Sequence, residues 1–310
     1  MDNAVDLITI DKSWVDMLLR LPRLPGYDDK VLAELLGRRP GGMGGNVACT
    51  AARLGLQVGM VSWVGDDADG RLVQEDLHRF GVDTSHLLVE PGTTTNYTVI
   101  LLAPSGEKSI LIVPTAFNRL ALDDALTAYL SAARLVYTTA YDLDQVARVA
   151  AVVRAAGGLL VVDAETAAGL PGERVAPLRP LVDILFVPAT ILPGADLPAA
   201  ARELVAGGPQ LVLITAGAKG VVAATKEQLV SCPAFAVTVA DSTGAGDCFA
   251  GAFLAAFARG RPLTEALPYA QAAAALAIQT VGVRDSLPTE GQIRDFLGQQ
   301  EELLVVVDDY

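Results

Sequence analysis

Short apolar runs alternate with amphipathic stretches along most of the chain. Val5–Ile10 reads as a first strand, and Gln57–Val64 as a strand of the buried type that stops at Gly65-Asp66-Asp67. Between them, the segment from Asp11 to Arg39 carries Pro22, Pro25 and Gly26 and keeps no period, so it is expected to be irregular. Gly41-Gly42-Met43-Gly44-Gly45-Asn46 opens a helix over Val47–Leu54, closed by Gly55. Ala68–Phe80 is amphipathic at helical spacing and ends at Gly81. Thr93–Leu102 and Lys108–Val113 predict a hairpin about Pro104-Ser105-Gly106. From there strands and helices take turns. Strands are expected at Arg134–Thr138, Leu159–Val162, Ile184–Val187 and Leu211–Thr215, and helices at Leu143–Ala156 and Leu197–Ala206. Three more helices follow, over 245–258, 263–279 and about 289–301, and the apolar tail 303–310 has the character of an edge strand.

Short apolar strands separated by helices indicate βαβ units and a mostly parallel sheet, with ligands expected beyond the carboxyl ends of the strands. Asp163, Thr215–Gly220 and Asp241–Asp247 all fall at or just past predicted strand ends. The segments at about 11–40 and 93–113 lie outside the alternation and are expected to form a small β lid. With no internal repeat and no low-complexity linker, residues 1–310 read as a single domain.

Composition narrows the partners. The chain has 310 residues, 52% of them hydrophobic and 19% charged, and a net charge of -13. That charge repels phosphate backbones and anionic bilayers, so neither nucleic acid nor a membrane is an expected partner. A small anion can still be held by local N–H groups. Cys49, Cys232 and Cys248 form no CxxC pair and are odd in number, which argues against a disulfide framework. No apolar stretch reaches transmembrane length and the amino end lacks a signal pattern, so the expected compartment is the cytoplasm.

The stretch Asp241-Ser242-Thr243-Gly244-Ala245-Gly246-Asp247, running into apolar Cys248–Leu254, carries the most chemistry. A first helical turn has free N–H groups and the positive end of the macrodipole, and Gly244 and Gly246 leave no side chain in the way. Two readings stand: a capped helix start, or an anion cradle with a carboxylate beside it. Neither G-x-x-x-x-G-K-[ST] nor G-x-G-x-x-G is present, since Phe249 occupies the third glycine position, and hydride transfer is poorly supported. The only histidines, His78 on a predicted helix and His86 in the loop after it, read as surface residues. Any proton transfer therefore falls to a carboxylate. Asp247 at a helix start is expected to stay ionised at neutral pH, as a base must.

Together the glycine patches resemble a known family. Gly42-Met43-Gly44-Gly45-Asn46-Val47-Ala48, with Gly55 and Gly65 following, is similar to the first signature of the ribokinase-like (PfkB) carbohydrate kinases. Asp241–Leu254 resembles their second signature, and Thr215-Ala216-Gly217-Ala218-Lys219-Gly220 their T-x-G-x-x-G nucleotide loop. The resemblance runs from about residue 5 to about residue 300. It implies a doubly wound α/β core with a β lid, and transfer of the γ-phosphate of ATP, with Mg²⁺, to a sugar or nucleoside hydroxyl. Carried onto matching positions, Asp247 is the base, and the N–H groups of Gly244, Ala245 and Gly246 hold the moving phosphate. Thr215, Gly217, Lys219 and Gly220 line the ATP site with Gln271 near the adenine, and Asp16, Gly42, Met43 and Asn46 meet the acceptor. Asp241 and Thr243 fall where some members hold a monovalent cation, so K⁺ is a candidate. The resemblance also allows a homodimer joined through the lid.

Two departures matter. After the strand at 184–187 the family's N-x-x-E is replaced by Pro188-Ala189-Thr190-Ile191, and Asp163 and Glu165 are the candidates to hold the metal through waters instead. Met43 stands where ribokinase itself carries Lys, which removes a donor and disfavours D-ribose. A small sugar-like alcohol is the expected acceptor. The alternatives are a nucleoside, for which Tyr27, Trp63 and Tyr97 are the candidate stacking residues, or a nucleotide-binding sensor that has lost catalysis.

Overall fold

The computed structural model describes residues 5–104, 108–115, 120–140, 142–165, 175–300 and 305–309. The chain first forms β1 (Val5–Ile10), β2 (Trp14–Arg20), β3 (Glu34–Gly41), α1 (Met43–Arg53), β4 (Val58–Gly65), α2 (Ala68–Arg79), β5 (Asp83–Glu90), β6 (Tyr97–Leu102) and β7 (Lys108–Val113). It continues with α3 (Asp124–Ser131), β8 (Ala133–Thr139), α4 (Leu143–Ala155), β9 (Leu159–Asp163), β10 (Ile184–Pro188), α5 (Leu197–Ala206) and β11 (Leu211–Thr215). Last come β12 (Val221–Ala224), β13 (Gln228–Cys232), α6 (Ala245–Ala258), α7 (Leu263–Ala277), α8 (Glu290–Gln299) and β14 (Val306–Asp309).

Ten strands make the main sheet, in the order β14-β13-β12-β11-β10-β9-β8-β1-β4-β5. From β5 to β11 every pairing is parallel, and β12, β13 and β14 extend that edge antiparallel. All eight residues of β4 are buried, which explains its unbroken apolar run: helices cover both faces. Leu7, Tyr137, Phe186 and Leu213 point into the cluster under α1, α6 and α7, while Ile8, Val136, Leu185 and Val212 point into the cluster under α4 and α5. This is the doubly wound arrangement expected from the alternation.

Packing sets where α6 begins. Phe249, Phe253 and Phe257 recur every four residues and stack on one another, with Phe186 of β10 edge-on to the first two. Burying each such ring contributes about 2–3 kcal/mol. Gly251 lies against Thr50 and the Val47 carbonyl of α1, too near to admit a Cβ. The amino ends of α1 and α6 are thereby brought side by side beyond the sheet.

A second sheet, in the order β3-β2-β6-β7, forms the lid. β2 runs antiparallel to β3 but parallel to β6, and β6 and β7 pair antiparallel as expected of a hairpin, with Ser105 and Gly106 of its predicted turn outside the described residues. The segment 11–39 is therefore not irregular throughout: β2 and most of β3 lie in it, with a register shift between Leu18 and Leu19. Helix α1 starts at Met43 rather than Val47, because Gly44 and Gly45 are close-packed helical residues and not part of a loop. His86 lies in β5, stacked on Tyr129 at 4.2 Å, and not in a loop. The tail pairs as an edge strand over Val306–Asp309; the rest of 303–310 that was expected to join it, apart from Val305, lies outside the described residues. All three cysteines are free and buried. Among the described residues no helix is long and apolar enough to cross a membrane.

Candidate active site

Beneath the lid, a cavity of about 420 Å³ is lined by both glycine patches, by Asp11, Trp14 and Asp16 beyond β1, and by Thr98, Ile100, Lys108, Ile110 and Ile112 of the lid. Two helices begin at it behind a glycine that offers no cap of its own, α1 behind Gly42 and α6 behind Gly244, although in α1 Asp11 Oδ2 accepts from Gly44 N at 2.9 Å. Elsewhere α2, α3, α4, α5 and α8 are each capped by their own Asp67, Asp123, Asp142, Asp196 or Thr289. At α6 no side chain caps the first turn, and the Ala245 N–H makes only a long bond of 3.4 Å to the Ser242 carbonyl. Gly244 is left-handed, with φ 74, and a Cβ there would strike Val283. At Gly246 a Cβ would meet nothing within 4 Å, so that side of the turn is open.

Asp247 sits in the first turn of α6, 9% exposed, and lines the cavity. Its Oδ2 accepts a hydrogen bond of 2.7 Å from Asn46 Nδ2. Burial pushes its pKa up to about 8, reinforced by Glu165, Asp163 and Asp11 and opposed by the Asn46 donor. The shift runs against the expectation of an ionised carboxylate at a helix start. The dipole of α6 is weaker than the combined effect of desolvation and three neighbouring acids. Lys108 is the one cation among the described lining residues, and its Nζ donates to Thr243 Oγ1 at 3.1 Å.

The remaining predicted positions divide. Asp16, Gly42, Met43 and Asn46 all line the cavity with Gly244, Ala245, Gly246 and Asp247. Asp16 accepts from Thr98 Oγ1 across the lid, and burial raises its pKa. Glu165 lines the cavity, but Asp163 does not. The Asp163 Oδ1 accepts from the Glu165 backbone at 2.8 Å and its Oδ2 faces the Tyr137 hydroxyl at 3.5 Å. Among the described residues no group of three or more His, Cys, Asp or Glu is arranged to hold a metal. Asp241 ties two loops together, accepting from Thr243 N at 2.9 Å and Gly282 N at 3.2 Å. Thr215 ends β11 and Gly217–Lys219 forms a single 3-10 turn closed by Gly220, outside the cavity lining. Gln271 is buried in α7 and does not line it either. The candidate stacking residues are elsewhere: Tyr27 is fully exposed, Trp63 is buried in β4, and neither Trp63 nor Tyr97 lines the cavity, whereas Trp14 does.

A model of the pfkB family of carbohydrate kinases matches residues 6–290. The chain belongs to that family. As a pfkB carbohydrate kinase it is 30% identical to the ribokinase of Bacillus subtilis over 94% of this chain and 99% of the relative. It is also 30% identical to the aminoimidazole riboside kinase of Salmonella typhimurium over 83% and 88% of the two chains. The structure of Arabidopsis thaliana ribokinase complexed with ribose and ATP superposes with a TM-score of 0.86 at 26% identity, covering 96% of this chain and all of that one.

Two features of this kinase's site carried no local signal. Arg284 lies 238 residues from Asn46 in sequence yet bonds to it, and Lys108 reaches the second signature from the lid. A lone Arg or Lys in a loop or an edge strand reads as surface. Only the tertiary fold brings Lys108 to the cavity and Arg284 to Asn46 behind its wall.

Proposed function

We propose that this kinase transfers the γ-phosphate of ATP to a hydroxyl of a small sugar or sugar-like alcohol, with Asp247 as general base. The observation that carries the reading is the juxtaposition at α6: an uncapped, left-handed glycine turn and a buried carboxylate facing the same cavity. The N–H groups of Gly244, Ala245 and Gly246 hold the transferring phosphoryl. The acceptor oxygen forms a bond to the γ-phosphorus, the bond to the β–γ bridging oxygen breaks, and ADP leaves. The acceptor's proton goes to Asp247 Oδ1, because Oδ2 is engaged by Asn46. Only the ionised carboxylate can take that proton, and with a pKa pushed up to about 8 the ionised fraction grows as the pH rises towards that value.

Oxygen donors with several waters suit Mg²⁺, and Glu165, aimed into the acidic cavity, is the side chain that would hold its water shell. That ion would neutralise charge on the β- and γ-phosphates. Asp163 holds the Glu165 backbone in place rather than entering the cavity. Thr215, Gly217, Lys219 and Gly220, in the turn after β11, are assigned to the rest of the nucleotide, while Asp241 and Thr243 remain the candidates for K⁺. Asp16, Gly42 and Asn46 take the acceptor's hydroxyls, and Met43 presents an apolar edge to it.

A riboside acceptor is the second reading, supported by Trp14 in the cavity wall and by the riboside kinase among the relatives. ADP release measured across pentoses, hexoses, keto-sugar acids and nucleosides tests both. Turnover with a sugar-like acceptor supports the first reading, and turnover confined to nucleosides supports the second. ATP binding without ADP release from any acceptor would leave only the sensor alternative.

A further inference from the structure

Arg284 follows α7 in the loop before α8, outside every glycine motif, and is 5% exposed. Its guanidinium makes three directed hydrogen bonds. Nε donates to Asn46 Oδ1 at 3.0 Å, Nη1 to Asp76 Oδ2 at 2.7 Å, and Nη2 to the Gly41 carbonyl at 2.7 Å. Asp76 compensates the buried charge, and its other oxygen is held by Arg79 Nη2 at 2.7 Å. Nη2 also fills the space where a Cβ of Gly45 would stand, which gives that glycine of the first signature a physical reason.

The donor inventory decides which way Asn46 faces. A guanidinium has five N–H donors and no acceptor, so Asn46 must turn its carbonyl oxygen towards Arg284. Its amide nitrogen is then forced towards Asp247 Oδ2, where it is found at 2.7 Å. An unrestrained Asn46 could rotate and set its oxygen against the carboxylate, a repulsive contact. The same guanidinium grips Gly41, the last residue of lid strand β3, immediately before the glycine that opens α1.

We infer that Arg284 is a positioning residue: it fixes the orientation of the Asn46 amide and, through it, which oxygen of Asp247 is free to take the acceptor's proton. It touches no reacting atom. The inference deepens the reading of Asp247 as the base and rests on it for its catalytic meaning, but the geometry is tested without any acceptor.

The test is a ¹³C NMR titration of the Asp247 carboxylate in the ligand-free protein, in a double-mutant cycle of Arg284→Gln and Asn46→Ala. Arg284→Gln alone is expected to raise the Asp247 pKa by about one unit, the scale of losing one hydrogen bond to the charged form. In the Asn46→Ala background it should cause no further rise, because the path runs through Asn46. Removing Arg284 leaves buried Asp76 with Arg79 as its remaining partner, so the neutralised pair Asp76→Asn/Arg284→Gln is titrated as well and should show the same rise. An unchanged titration in a folded Arg284 variant would overturn the proposal. So would an equal rise with and without Asn46, or unfolding of the neutralised pair while Asn46→Ala stays folded, since each makes Arg284 a packing residue only. None of these results bears on whether ADP is released with a sugar, so the proposal and the kinase reading fail separately.

Discussion

Replacing Asp247 by Asn should cost activity and add stability, and the two effects come from the same burial. Burial pushes the carboxyl up from an ordinary value of 3.8 to about 8 in the folded protein. Between those values the folded state keeps a proton that the unfolded chain has released, so stability falls as pH rises. The slope is about 1.4 kcal/mol per pH unit for one group, which gives a penalty of at most roughly 4 kcal/mol at pH 7. Asn removes the titration while its own side-chain oxygen still accepts from Asn46. Urea midpoints of the ligand-free proteins between pH 4 and pH 9 measure the effect. Wild type and Asp247→Asn should coincide near pH 4, and the variant should pull ahead as pH rises. Turnover should drop by roughly 10²–10⁴. A stability gap that does not change with pH would refute the argument from burial, and undiminished turnover would refute the role of base.

Other expectations follow from the same geometry. Gly244→Ala forces a Cβ onto Val283 at a left-handed position, so it should lose at least about 1 kcal/mol of stability and lower kcat, measured by thermal melting and ADP release. Glu165→Gln should raise the magnesium concentration for half-maximal activity several-fold, while Asp163→Asn, which acts only through the Glu165 backbone, should shift it less; unchanged metal dependence in both would remove these residues from the metal site. Ile110 and Ile112 of edge strand β7 face the cavity, so Leu111, 52% exposed, faces outward on the alternating side. If copies of this chain join through their lids, Leu111→Asp should convert a dimer to a monomer by sedimentation without moving acceptor specificity.

What the sequence revealed follows the range of the forces involved. Helix α5 and strand β11 match expectation residue for residue, since apolar period and flanking turns are local signals. Strands β2 and β3 were hidden by Pro22, Pro25 and Gly26, which mark the connection between them. The short hairpin of β12 and β13 gave no distinct alternation to find. Gly44 and Gly45 argue against a helix by propensity, yet both lie in α1, and they are glycine there because Asp11 and Arg284 occupy the volume a side chain would need. The glycine turn and Asp247 were legible because the motif is contiguous. The protonation of Asp247 was not, because Glu165, Asp163 and Asp11 approach it only in the fold. Arg284 was silent for the same reason.

The central claim is that the head of α6 grips a phosphoryl in flight beside Asp247. A crystal structure with ADP, Mg²⁺ and aluminium fluoride tests it most directly, because the fluoride mimics the transferring group. The fluoride is expected within hydrogen-bond distance of the backbone N–H groups of Gly244, Ala245 and Gly246, with Asp247 Oδ1 facing it across the acceptor cavity. Fluoride bound away from α6, or an Asp247 carboxylate turned out of the cavity, would contradict it.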